Sequence, residues 1–210
     1  MIRTLSLIKR RPDITRDAFR EHYETVHAPL ALPYMDGLVR YVRYHLEAEL
    51  HGTIGFDVIS AFWYRDAEST AKLMTILASD EGKPILDDEL TFMDKPANVF
   101  FPVSERMIEK GEEGEVHTWL LARKPEALDR SEASKVLVRD HLPGLLNGCD
   151  GLRFALLRDA FPIEGGTLPY DAALQIGCDE IGGLASSAAR LEKAGWTVAA
   201  VRTRRHETAL

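Results

Sequence analysis

The sequence predicts an α+β protein: two tandem ferredoxin-like βαββαβ units packed sheet to sheet as an α/β barrel within one chain. Three observations predict it. Short runs rich in β-branched and aromatic residues alternate with amphipathic helical runs in the order βαββαβ. That order occurs twice. A shift of 114 positions, His27 to His141, also brings separated matches together without a gap. Thr4-Leu5 falls on Thr118-Trp119, His27-x-Pro29 on His141-x-Pro143, Asp36-Gly37-Leu38 on Asp150-Gly151-Leu152, and Phe56-Asp57 on Tyr170-Asp171.

Residues 2–9 read as the first strand, bounded by Arg10-Arg11-Pro12. A helix follows over 15–27. Thr15 suits an N-cap, Asp17 complements the helix dipole, and Phe19, Tyr23 and Val26 share one apolar face. Pro29 disfavours helical geometry at Ala28, so this helix is expected to stop at or near His27. Residues 38–47 alternate as a second strand, and 56–64 form a third, apolar on both sides. Residues 66–79 form a helix capped by Asp66. Residues 80–95 read as an extra loop, and 97–104 as a last strand with Pro102 at an edge or bulge. The second unit ends with a helix near 183–194 and a strand near 196–205. The units span 1–108 and 116–210, joined by a polar linker at 109–115. Because strand 56–64 is apolar on both faces, two units packed open face to open face would enclose a cavity.

Neither half has the basic excess of a nucleic-acid binder, and the net charge is −7. No apolar run approaches the roughly 18 residues of a membrane helix. No signal-peptide cleavage pattern appears, so a cytoplasmic protein is expected, with no nucleic-acid or membrane partner. Cys149 and Cys178 lack CxxC spacing and read as buried free thiols. There is no HExxH, CxxC or GxGxxG, and Gly165-Gly166 and Gly182-Gly183 are loop pairs. His22 and His27 lie five apart and do not converge as i, i+4 ligands do. No metal and no cofactor are expected.

His27 is the first candidate for chemistry, since an imidazole takes and gives protons near neutral pH. The alternative is a histidine bonding the last helical carbonyls. His141 repeats it. Asp57, at the head of an apolar strand, either orients His27 or caps backbone amides. On the second strand Arg40, Val42 and Tyr44 face one side and Tyr41, Arg43 and His45 the other. Either set suits the lining of a ligand cavity. His22 lies toward the sheet edge, Tyr23 reads as core, and Trp63 belongs to an aromatic wall or to plain core.

The run LIKRRPD with Phe19, His22-Tyr23 and His27-Ala28-Pro29-Leu30 resembles the EthD-like family of the dimeric α/β-barrel superfamily. So do Gly37-Leu38 with Tyr41, and Phe56-Asp57 with Phe62-Trp63. The likeness is good over 1–108 and weaker afterwards, where Val136-Leu137 replace His22-Tyr23 and Gly177 replaces Trp63. It implies the ferredoxin-like fold and a cavity beside each sheet. Superfamily members include cofactor-free monooxygenases, lactone isomerases, polyketide cyclases and decarboxylases, haem enzymes and proteins without assigned activity. The expected function is a cofactor-independent acid/base enzyme, an isomerase, cyclase, dehydratase or decarboxylase-type lyase, acting on a small aromatic or polyketide-like molecule. His27 and Asp57 are the expected catalytic pair; His22, Arg40, Tyr41, Tyr44, Trp63 and His141 are the expected substrate contacts. The first unit, with more polar groups, is expected to be the active one. The alternatives are a non-catalytic binding protein for a hydrophobic metabolite and a cofactor-free monooxygenase. A monomer with an internal pseudo-dimer, or a further homodimer, is expected.

Overall fold

The computed structural model describes residues 1–163 and 166–210; Gly165 of the Gly165-Gly166 pair lies outside the described residues. The chain divides into two compact units. One comprises Met1–His45, Gly55–Phe100 and His206–Leu210, the other Leu46–Ile54 and Phe101–Arg205.

The first unit begins with β1 (Ile2–Ile8) and α1 (Arg16–His22), whose N-terminus is capped by Thr15 Oγ1 accepting from the Ala18 amide. The helix does not stop at His27. It widens into a π turn over Tyr23–His27, continues as α2 (Ala28–Ala31) and tightens to a 3₁₀ turn over Leu32–Tyr34. The Ala28 amide reaches back five residues to the Tyr23 carbonyl. Pro29 then falls in the first turn of α2, where its missing N–H is tolerated. β2 (Leu38–His51) and β3 (Val58–Tyr64) follow, then α3 (Ala67–Leu77), capped by Asp66. The stretch expected as a loop holds α4 (Lys83–Phe92), with Pro84 in its first turn and Ile85 and Phe92 buried. Those two residues are seven apart, two helical turns on one face. The strands pair antiparallel in the order β1-β3-β2. Phe19, Tyr23, Tyr41, Phe62 and Phe92 pack in its core.

The second unit contains most of β4 (Val99–Glu109), then β5 (Val116–Arg123), α5 (Arg130–Val136), a π turn over Leu137–His141, and α6 (Leu142–Leu146). A short ladder joins β6 (Cys149–Asp150) to a later partner; β7 (Phe154–Ala160) and β8 (Ala172–Gly177) come next. β9 (Glu180–Ile181) is that partner, and α7 (Leu184–Lys193) and β10 (Thr197–Glu207) end the chain. The main sheet runs β10-β5-β8-β7-β4, antiparallel throughout. Its helices pack Leu137, Leu142, Leu145 and Leu191 onto Leu120, Leu157 and Leu174.

Positions 114 apart share several local devices. Asp129 caps α5 as Thr15 caps α1. Gly37 and Gly151 both have left-handed φ, 78° and 58°. The amide of Asp57 donates to the Ile8 carbonyl and that of Asp171 to the Ala122 carbonyl, at 2.8 and 2.9 Å. Cys149 and Cys178 are free and only half-buried. Among the described residues no helix is long and apolar enough to cross a membrane.

Candidate active site

The π turn gathers the polar chemistry of the first unit. π-bulges re-aim side chains and occur often at functional sites; here Tyr23, Glu24 and His27 all lie on it. His27 is buried, and its Nδ1 donates to Asp88 Oδ2 at 2.8 Å. The other carboxylate oxygen, Oδ1, accepts from His22 Nε2 at the same distance. A carboxylate only accepts, so each of these ring nitrogens carries its proton. Burial lowers the pKa of His27, and the hydrogen bond to Asp88 offsets part of that effect. At neutral pH the ring is therefore a neutral base with its Nε2 lone pair unprotonated. Tyr23 and Phe92 wall it, with ring centroids 5.2 and 5.1 Å away.

Beneath the turn, Tyr41 donates to the Tyr23 hydroxyl, which bonds Ser60 in turn, both at 3.0 Å. Burial raises the pKa of both tyrosines, so both stay protonated. Glu24 accepts from Arg43 and from His45 Nε2, and His206 Nε2 lies 3.0 Å from it. Burial opposes ionisation of Glu24, but the bonds from His45 and Arg43 hold its pKa down to about 2. Asp17, Arg20, Glu21, Glu24 and His206 line an open depression of about 360 Å³ beside this cluster.

Asp57 is not the partner of His27. Its carboxylate accepts from the Arg10 amide at 3.1 Å and meets Arg10, Arg16 and Lys9 side chains at 3.3, 3.1 and 3.2 Å. Burial opposes its ionisation, yet the Arg10 amide, Arg16 and Lys9 together hold its pKa below the ordinary value. Asp171 repeats the arrangement, accepting from the Lys124 amide and pairing with Arg130. The physical reason lies in the register. β1 pairs antiparallel with β3, Ile8 opposite Val58, which sets Asp57 beside Lys9 and Arg10.

Of the two faces of β2, the one carrying Tyr41, Arg43 and His45 meets the helix, through Tyr23 and Glu24. Arg40 instead pairs with Glu207 and lies 4.7 Å from the Trp63 ring, while Tyr44 is fully buried. The structure thus joins His22 and His27, places Tyr41 below them through Tyr23, and does not join Arg40, Tyr44 or Trp63 to them among the described contacts. His141 is half-buried in the second unit, 6.3 Å from the Trp196 ring. Asp88 is the residue that sequence reasoning missed. Pro84 at a helix start and the Ile85/Phe92 spacing were the available signal for its helix. Among the described residues no group of three or more His, Cys, Asp or Glu is arranged to hold a metal ion.

The second unit holds a polar chain on the opposite face of its own sheet. Arg158 donates to Glu105 at 3.0 Å and to Gln175 at 2.8 Å, and Gln175 donates to His117 Nδ1 at 3.1 Å. Burial pushes the His117 pKa down to about 4.

The EthD domain family model matches residues 11–96, the stretch that contains His22, His27 and Asp88. No curated protein matches the chain. Among solved structures, an anthrone oxidase-like protein superimposes with a TM-score of 0.62 at 10% identity, covering 100% of this chain and 94% of its own. A mutant chlorite dismutase from Candidatus Nitrospira defluvii, in complex with cyanide, gives 0.53 at 10% identity, covering 98% and 90%. An ethyl tert-butyl ether D (EthD) family protein from Bacillus halodurans is 27% identical over 49% of this chain and 96% of its own, with a TM-score of 0.37. The first two likenesses show a shared fold.

Proposed function

With an EthD domain matched over residues 11–96, we propose that this protein is an enzyme whose reaction is proton transfer on a small aromatic or polyketide-like molecule. His27 is its general base and Asp88, in place of Asp57, orients it. The observation that carries this reading is the 2.8 Å bond from buried His27 Nδ1 to Asp88. It fixes the tautomer, leaves Nε2 as the basic atom, and supplies a counter-charge for the imidazolium that forms. An acidic C–H or phenolic O–H placed at Nε2 would lose its proton there. Return of that proton at another position completes an isomerisation, cyclisation or dehydration. Tyr23, held by Tyr41 and Ser60, positions the ring edge-on at 75°.

Units 1–108 and 116–210 are, on this reading, successive ferredoxin-like repeats of a cytoplasmic protein that is a monomer with an internal pseudo-dimer or a further homodimer. A ligand survey by thermal shift, using aromatic acids, phenols and short ketide mimics, tests the activity. The expected hit stabilises wild type and Asp88→Asn alike, and wild type consumes it with or without oxygen while Asp88→Asn turns it over far more slowly. Consumption that requires oxygen would mean an oxygenase. Binding without consumption by either protein would mean a carrier, and the proton-transfer reading would be abandoned.

A further inference from the structure

Asp88 offers one negative charge to two imidazoles. It bonds His22 and His27 through different oxygens at equal distances of 2.8 Å. A carboxylate so placed stabilises a positive charge on either ring, while two cationic rings around it repel each other. The rings differ in access to water: the His27 side chain is 6% exposed and that of His22 29%. Phe92 packs against both, its centroid 4.5 Å from His22 and 5.1 Å from His27. The titratable and charged groups that face His27 are His22 and Tyr23 from its own helix and Asp88 and Glu89 from α4, with Glu89 itself paired to Lys95. Nothing in the mechanism above uses His22.

Resting on the reading of His27 as base, we propose that His22 and His27 hold one proton between them across Asp88, with His22 as the solvent-side positioning residue. In the forward step the substrate X–H bond breaks, its electron pair stays on the substrate, and its proton joins His27 Nε2. His22 in turn releases the proton on its Nδ1 to water. The counter-charge that Asp88 offers passes from one ring to the other. One proton joins His27 and one leaves His22, so the charge summed over the two rings and Asp88 is unchanged, and the negative charge left by the broken X–H bond stays on the substrate. Return of a proton to the substrate runs the exchange in reverse.

The test is a pH titration of the histidine ring resonances in the full-length protein by NMR, which needs no substrate. In wild type the His27 signals should move in two steps, with the His22 signals changing over the same pH interval, as strongly interacting sites do. In His22→Ala the His27 signals should collapse to one step with a midpoint about one pH unit higher. His22→Gln, which keeps a donor to Asp88 without a titrating proton, should also give one step at a raised midpoint. A His27 midpoint unchanged in both variants would overturn the shared proton. It would leave His27 as base to be judged by turnover alone.

Discussion

At Tyr23, Tyr41 and Ser60 the first unit places three hydroxyl groups between helix and sheet. The positions 114 residues later in the second unit are Leu137, Ala155 and Leu174, all buried. Glu24 and Arg43 become Val138 and Leu157 in the same way. The π turn itself is present in both, at Tyr23–His27 and Leu137–His141. What differs is what the turn holds. The first unit has α4 after α3, whereas among the described residues no further helix lies between α7 and β10: α4 supplies Asp88 and Phe92, while His141 faces Trp196. The backbone device is thus shared, and the hydrogen-bonded polar layer at the turn belongs to the first unit. The second unit's polar groups lie on the far face of its sheet, where Arg158, Gln175 and His117 are all buried.

The comparison can be broken first at the packing. Leu137→Ala should cost about 2–5 kcal/mol, the range for a buried leucine that leaves a cavity. Tyr23→Phe removes one oxygen and almost no volume, and should cost about 1–3 kcal/mol through unpaired Tyr41 and Ser60 hydroxyls. Denaturant unfolding of both variants measures the two. If Tyr23→Phe proved neutral, the polar layer of the first unit would have no structural weight.

A pH series sharpens the contrast next. Burial holds His117 near a pKa of about 4, against an ordinary 6.5. The unfolded chain therefore takes up a proton near 6.5 that the folded chain refuses until about 4, and stability falls as pH drops through that window. The loss attributable to His117 is on the order of 3 kcal/mol. His117→Gln should flatten the slope of unfolding free energy between those pH values. Glu24 acts in the same direction over a lower pH window. Its pKa is held down to about 2, so its contribution is present above the ordinary value of 4.5 and fades as pH falls toward 2.

The smallest expected difference concerns what the units share. Asp57→Asn and Asp171→Asn should each cost about 1.5–3 kcal/mol, because each loses charged hydrogen bonds to a backbone amide and an arginine. Turnover should survive both. A selective loss of activity in Asp57→Asn would restore Asp57 to the site.

Much of this was legible in the residues. Thr15 and Asp66 announced their caps, and the period-two run at 38–47 its strand. The course of the helix past His27 was not, because a π turn depends on which carbonyl the Ala28 amide chooses, and Pro29 alone argues for a stop. α4 was obscured by its own acids: Asp87, Asp88 and Glu89 dilute an apolar face of Ile85 and Phe92 into what reads as a loop. Asp57 was misassigned because proximity across a sheet follows strand register, and only the Ile8–Val58 pairing shows that Lys9 and Arg10 reach it first.

The most direct test of the account compares the two histidines on a stabilising ligand that wild type consumes. His27→Ala should lower turnover by roughly 10²–10⁴-fold, the usual span for a lost general base, with binding retained. His141→Ala should leave turnover within about twofold, since its ring packs on Trp196 and, among the described contacts, makes no hydrogen bond to a carboxylate. Full activity in His27→Ala, or an equal loss in His141→Ala, would contradict the assignment of the chemistry to the first unit.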